Sequence, residues 1–425
     1  MARQPHTPKT ALVLAGGGLT GAVYEIGALR AIDDLLVDRT VNDFDIYVGT
    51  SAGALVASML ANGLTPKTML QSLAGDSQVP PIARGDVFGL NHRDLVRLGL
   101  RLPQTLLLAL SHYWRNRRDM DLFDAAWSLL ESLPPGLFDN LALERYVRRV
   151  LLRFGRSNHF TDLKPELHII ATDLDTSRRT VFSHDSHADV PISLAVAAST
   201  ALPVLYKPVR IRGRDYVDGG LRGNASLDLA VEHGAKLIVC INPLVPYDNA
   251  GMQSIPFLGP DGGHLSDKGL AAIANQVSRI GSHAGLHYHI KQLGNTHPEV
   301  EIILIEPSPR DYQMFFYNIM RYSARLIVAR HGFETVTLEL AEDYEWYEAL
   351  LARYGLAISP RLVLEELEEI SASGHDPYVI RRVMEARSKA YRRRQPDAPA
   401  AQLRQTLANL DQALNQRLNG HGAGA

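Results

Sequence analysis

A chain of 425 residues is too long for one simple core and reads as one large domain with additions. Its 44 basic and 46 acidic side chains leave a net charge of −2, so no global field favours nucleic acid, and 46% hydrophobic content supports a substantial core. The single cysteine, Cys240, excludes an internal disulfide framework; it sits in the apolar run Leu237 to Ile241 and reads as a small buried side chain rather than a reactive thiol. The apolar run after the polar start is too short for a signal peptide, and no stretch approaches the ~20 apolar residues of a spanning helix. The expected location is therefore cytoplasmic, with peripheral contact at the inner membrane face as an option.

Ala11 to Ala15 predicts a short strand that runs into Gly16-Gly17-Gly18-Leu19-Thr20-Gly21. A helix follows, with Ile26, Leu29, Ile32, Leu35 and Leu36 on one face. This unit matches the dinucleotide fingerprint G-x-G-x-x-G, but that fingerprint needs an acid at the end of the second strand. Here the second strand, Ile46 to Val48, ends in Gly49-Thr50-Ser51, and no lysine follows the glycines as in a P-loop. Successive glycines at a helix start instead expose N–H groups that can hold an oxyanion.

Gly49, Ser51 and Gly53 form G-x-S-x-G between that strand and a helix beginning near Ala52. A serine on such a turn holds its hydroxyl out at the strand end, beside the partly positive helix N-terminus. The plain alternative is a Gly-rich turn without chemistry. Residues 64–84 read as a polar connection, and 86–155 as a helical insertion without a convincing strand. Strands resume at 167–172 and 180–182, and Pro191 opens a helix that stops near Ala201-Leu202-Pro203. Two short strands turn at Gly213 and end at Asp218-Gly219-Gly220. Further strands are predicted at 237–241 and 300–305; from 311 the chain is helical, and 396–401 reads as a linker.

A serine hydroxyl needs a base. An α/β-hydrolase would place several strands before the serine and a histidine after the acid, whereas only about two strands precede Ser51. None of the 16 histidines sits at an obvious strand-end turn. His168 lies inside a strand, and His283, His287 and His289 lie on a helix; the spacing of His283 and His287 suits a metal, but H-x-x-x-H without a Glu base is a weak signal. Asp218 remains the base candidate, against an ordinary Asp-Gly turn.

Taken in order, these blocks resemble the patatin-like phospholipase family over roughly residues 8–245. Gly16 to Gly21 is similar to its glycine-rich oxyanion motif, Gly49 to Gly53 to its nucleophile motif, and Asp218-Gly219-Gly220 to its base motif. Ala198-Ser199-Thr200-Ala201-Leu202-Pro203 resembles its A-S-x-x-x-P block, and Ala171 to Leu174 the strand between. The resemblance implies a three-layer α/β/α core, which with the residue pattern puts a catalytic domain at 8–310; the pattern itself gives the helical insertion at about 86–155, a helical C-terminal region at 311–395 and a linker with a short amphipathic tail at 396–425. It also implies a Ser51–Asp218 dyad without histidine, cofactor or metal, acting on fatty acyl esters of phospholipids or lysophospholipids. Gly16, Gly17, Gly18 and Ala52 would form the oxyanion hole, with Gly49, Gly53, Gly219 and Gly220 in support. Thr20 stands where the family usually carries Arg or Lys, and Asn224-Ala225-Ser226 where it often has N-x-P. A thioesterase or acyl transferase using the same acyl-enzyme is an alternative, and Thr20 suggests a non-catalytic lipid-binding scaffold as another.

Two segments suggest partners. In 92–118, six arginines stand against one acid, Asp94, with Arg93, Arg97 and Arg101 on one helix face and Leu95, Leu98, Leu102 and Leu106 on the other. Pro103 should kink or divide this helix. Basic residues beside leucines and Trp114 suit a lipid-facing lid; the alternative is a core-capping helix with a solvated face. Leu403, Leu407, Leu410, Leu414 and Leu418 form a helical stripe, read first as docking on the protein's own core and second as a route to a homo-oligomer through 403–418.

Overall fold

The computed structural model describes residues 8–37, 39–75, 79–115, 133–250, 263–316, 320–374 and 376–385. Eight strands form the central sheet: β1 (Lys9–Leu14), β2 (Ile46–Thr50), β3 (Glu166–Asp173), β4 (Arg179–Phe182), β5 (Val209–Ile211), β6 (Arg214–Asp218), β7 (Ala235–Ile241) and β8 (Glu301–Ile305). Their order is β8-β7-β1-β2-β3-β6-β5, with β4 also paired to β3. The five strands from β8 to β3 are parallel, while β4 and β6 run antiparallel to β3.

Parallel strands need cover on both faces. Leu12 and Leu14 of β1 enter one core cluster, and Ala11 and Val13 the other, as the period of two requires. On the first face lie α1 (Gly18–Leu35), α2 (Ala52–Ala61), α3 (Pro66–Ala74), α5 (Leu141–Arg153) and α6 (Ile192–Ser199). The second is covered by Leu227–Glu232 and by α7 (Leu270–Thr296), through Leu286 and Leu293. This is a three-layer α/β/α arrangement. The C-terminal ends of β7, β1 and β2 lie side by side, and the chain reverses its lateral direction about β1. In open α/β sheets such a crevice is where ligands bind.

Three expectations need correction. Residues 64–84 contain α3, with Thr65 capping Thr68 N–H and Pro66 in the first turn. That Thr-Pro start is a helix signal which the polar composition masked. Residues 86–155 are not strandless: Gly136–Phe138 pairs parallel with Val204–Tyr206. Three residues are too few to show a strand period. Of the kink or division expected at Pro103, the division does not occur: the helix α4 (His92–Arg115) runs through it, since solvent can take the carbonyl of the exposed Gly99 that proline leaves unbonded. The leucine stripe at 403–418 and the linker at 396–401 lie outside the described residues.

After 311 come α8 (Arg325–Glu342), α9 (Arg361–Ala372) and α10 (Pro377–Glu385). They share the first core cluster through Phe333, Val336, Val363 and Val383. α8 lies directly on α1: a Cβ on Gly27 would come within 2.0 Å of the Ala329 carbonyl oxygen. α1 is consequently buried almost all round, including Arg30, which is only 1% exposed. Arg30 pairs with Asp34 and, at 3.3 Å, with Glu366 of α9; its Nε donates to the Met384 carbonyl at 2.9 Å. Removing one member of a buried ion pair strands the other charge, at ~3–5 kcal/mol. Arg30→Ala should therefore lower unfolding stability by about 3–5 kcal/mol in urea titration. A loss under ~1 kcal/mol, the scale of a surface ion pair, would refute the network's role.

Candidate active site

β2 ends at Thr50 and α2 begins at Ala52, so the turn between them is a single residue, Ser51. Its backbone has φ 54° and ψ −119°, a region that L-residues rarely adopt and that costs ~1–3 kcal/mol. Bonds from both sides hold it. Ser51 N–H donates to Ser199 Oγ at 2.8 Å, and Ser199 in turn donates to the Ile170 carbonyl on β3. Gly53 N–H donates to the Ala15 carbonyl at 3.2 Å. A Cβ on Gly53 would sit 2.2 Å from the Leu14 oxygen, and one on Gly49 would meet Gly53 O at 2.6 Å. The glycines of G-x-S-x-G are thus required by close backbone packing.

Asp218 arrives from the other side of β3. Thr50 pairs with Ile170, and Asp218 pairs with Ala171, so register sets the two sites one residue apart along β3. Gly219 then folds the chain over β3: its Cβ would lie 2.3 Å from the Ile170 oxygen and 3.2 Å from Thr50 Cγ2. Ser51 Oγ donates to Asp218 Oδ2 at 2.5 Å, and Gly220 N–H donates to Oδ1 at 2.8 Å. Asp218 is 5% exposed. Burial pushes its pKa up to about 6, outweighing the lowering effect of those two hydrogen bonds.

The glycine loop leaves β1 beside this pair. Gly16 N–H is taken by Asn224, with Oδ1 at 3.0 Å and the main-chain oxygen at 3.2 Å. Gly16 is therefore a fixed point of the loop and not the free donor expected from sequence. Gly17 caps α1 and Gly18, at φ 61°, begins it, while Ala52 begins α2. These are positions whose N–H groups a helix leaves without an intrahelical partner. Thr20 is buried in the first turn of α1.

Gly16, Gly17, Gly18, Ser51, Ala52, Asp218 and Gly220 line one cavity of about 180 Å³; Gly49, Gly53 and Gly219 form its backing. Most of the remaining lining is apolar, including Leu55, Leu143 and Leu202. A smaller hollow of about 50 Å³ shares Leu19, Ala22, Leu55 and Ile82 with it and reaches the hydrogen-bonded pair Ser72 and Tyr146. Among the described residues, neither lining contains His, Lys or Arg. The supports Ser199, Asn224 and Asn242 had no role assigned from sequence. Ser199 and Asn224 sat in or beside recognised blocks, but Asn242, which accepts from Asn224 Nδ2 at 2.9 Å, carries no local signal.

The profile of the patatin-like phospholipase family matches residues 12–231. The chain is 22% identical over 233 residues to Probable lipid hydrolase 463L of Invertebrate iridescent virus 6, covering 55% of this chain and 67% of that protein. It is 28% identical over 229 residues to Intracellular phospholipase A2 of Caenorhabditis elegans, covering 51% of this chain but only 16% of that protein. Among solved structures, VipD from Legionella pneumophila matches at a TM-score of 0.31 and 16% identity, over 77% of this chain and 67% of that one.

The raised Asp218 pKa has a consequence for stability. Its folded value lies above the ordinary 3.8, so the folded state holds the proton longer and stability falls as pH rises from about 4 to about 6. Two units correspond to ~3 kcal/mol at pH 8. Asp218→Asn should therefore be the more stable protein at pH 8, by up to ~3 kcal/mol, and should match wild type near pH 4. Chemical unfolding at both pH values measures this. An unchanged gap between them would contradict a buried charge.

Proposed function

The chain belongs to the patatin-like phospholipase family, a family of lipid acyl hydrolases, and from that premise we propose that it cleaves fatty acyl esters of phospholipids or lysophospholipids through Ser51 and Asp218. The observation that carries the reading is the 2.5 Å bond from Ser51 to a buried carboxylate at an apolar cavity. Asp218 Oδ2 takes the Ser51 proton as Oγ attacks the acyl carbonyl. The oxyanion is held by the N–H groups of Gly17, Gly18 and Ala52; Gly16, committed to Asn224, positions the loop. Asp218 returns the proton to the leaving alcohol, which departs and leaves the acyl-enzyme. Water, deprotonated by Asp218, then attacks the acyl carbon, and the fatty acid leaves as Ser51 regains its proton. The hollow extending to Ser72 and Tyr146 is the place for the acyl chain.

Contact with a bilayer is part of the reading. No helix among the described residues is long and apolar enough to cross a membrane. α4 exposes Leu100, Leu107, Leu108 and Trp114 together with Arg93, Arg97 and Arg115. α7 exposes Leu270, Val277 and Ile280 and also sends Ser278 and Ser282 to the cavity wall. We assign these apolar and basic surfaces to reversible docking on an anionic membrane, consistent with a cytoplasmic enzyme peripheral on the inner face.

Ser51→Ala and Asp218→Asn should each lower kcat/KM on a fatty acyl ester by roughly 10⁴-fold, with folds intact by circular dichroism. A fluorophosphonate probe should label Ser51 of the wild type. Retained turnover in purified Ser51→Ala, or no labelling of wild type, would remove the mechanism. Because Asp218 must be ionised to act as base, kcat/KM should rise with pH through about 6 and then level; a pH profile lacking that limb argues against Asp218. Changing Arg93, Arg97 and Arg101 together to Glu should abolish co-flotation with anionic vesicles, since each cation is worth ~1 kcal/mol there. Equal flotation by both proteins would exclude α4 as the docking surface.

A further inference from the structure

A second cluster of chemistry-bearing side chains lies away from the dyad. His283 and His287, one turn apart on α7, direct Nε2 to the same oxygen of Glu306, at 3.2 and 3.0 Å from Oε2. Their rings lie 4.1 Å apart, and one ligand atom from each of the three residues falls within 4.8 Å of the others. Glu306 follows the last residue of β8, so the carboxylate missing from the H-x-x-x-H pattern comes from a different element. Two imidazole nitrogens and a carboxylate oxygen are a donor set for a borderline cation such as zinc, at ~2.0–2.2 Å from each ligand. His287 is 49% exposed, which leaves a side open for a solvent ligand.

The surroundings favour a ligand role. The other oxygen of Glu306 accepts from Asn242 Nδ2 at 2.6 Å, the kind of outer bond that orients a ligating carboxylate. The rival cluster, Glu166 with His168 and His233, lacks this character. There Lys9 Nζ already lies 2.7 Å from Glu166 Oε1 and supplies the positive charge, and His168 is fully buried. Among the described residues, the ion-pair partners of Glu306 are His283 and His287 and not a Lys or Arg.

Asn242 links the cluster to the glycine loop. Its Oδ1 accepts from Asn224 Nδ2 at 2.9 Å, and Asn224 Oδ1 accepts from Gly16 N–H at 3.0 Å. We propose that His283, His287 and Glu306 bind one divalent transition-metal ion of the zinc type, and that through Asn242 and Asn224 this ion braces the glycine loop. The ion takes no part in bond breaking. Binding at the three ligands is independent of whether Ser51 is a nucleophile.

The test uses the full chain stripped of metal with a chelator. Calorimetry with zinc should give one ion per chain, and cobalt(II) should give the visible absorption of a low-coordinate site with nitrogen ligands. His283→Ala/His287→Ala, checked for an unchanged fold by circular dichroism, should lose both signals, and so should Glu306→Gln. Asn242→Ala keeps all three ligands and should bind about 10–100-fold more weakly. Ser51→Ala should bind zinc as wild type does, which separates this proposal from the hydrolase reading. No stoichiometric uptake by wild type, or undiminished uptake by the double histidine variant, overturns the site. Saturating zinc should also slow hydrogen exchange at the Gly16 amide in wild type and not in Asn242→Ala; exchange indifferent to zinc in wild type overturns the brace.

Discussion

Ser51 rests on a backbone conformation that its own side chain disfavours, and much of the fold serves to hold it there. The strand β2 fixes one end, and α2, pinned by Gly53 N–H on the Ala15 carbonyl, fixes the other. Ser199 reaches across from α6 to take the Ser51 amide. Three separate pieces of chain must fold before that single residue has its geometry. The same contacts explain why β1 and β2 must be adjacent and parallel: only then does Leu14 O lie against a residue without a side chain.

Both residues sit where stability is lost, Ser51 in a strained backbone conformation and Asp218 with a buried carboxyl. The offset comes from a parallel sheet buried on both faces and from α1, which is enclosed by the sheet on one side and α8 on the other. Thr172 Oγ1 donates to the Asp218 main-chain oxygen at 3.0 Å, and Asp218 N–H donates to the Ala201 oxygen at the same distance. The carboxyl is therefore immobilised through its backbone as well as its side chain, and little reorganisation is needed when it ionises.

Much of this was legible in the sequence because the site is built from tight turns, and tight turns write themselves in glycine. Gly16 to Gly18, Gly49, Gly53 and Gly219 are visible for that reason, and so are the residues they flank. Long apolar runs at β1, β3 and β7 were equally readable. What stayed hidden depends on side chains meeting across distant elements. Asn242, Asn224 and Glu306 are ordinary polar residues until register brings β7 and β8 together. Arg30 reads as one charge on an amphipathic helix, and only the arrival of α9 and α10 encloses it. The short pairing of Gly136–Phe138 with Val204–Tyr206 escaped for a simpler reason: it is too brief to carry a pattern.

The order of strands also bears on how the chain can be divided. The family match stops at 231, yet β1 is paired along its whole length with β7, which begins at Ala235. A fragment ending at the match would leave β1 as a bare edge of unpaired amides and carbonyls, with apolar side chains on both faces. It would also strip α8 from α1 and uncover Tyr24, which packs on Gly332, and Arg30, which lies over the Phe333 ring. Such a piece contains Ser51 with its hydrogen-bond partners Ser199 and Asp218, and it would still present other chains with a template for strand addition. The family match therefore ends before the strand that β1 needs for its second edge.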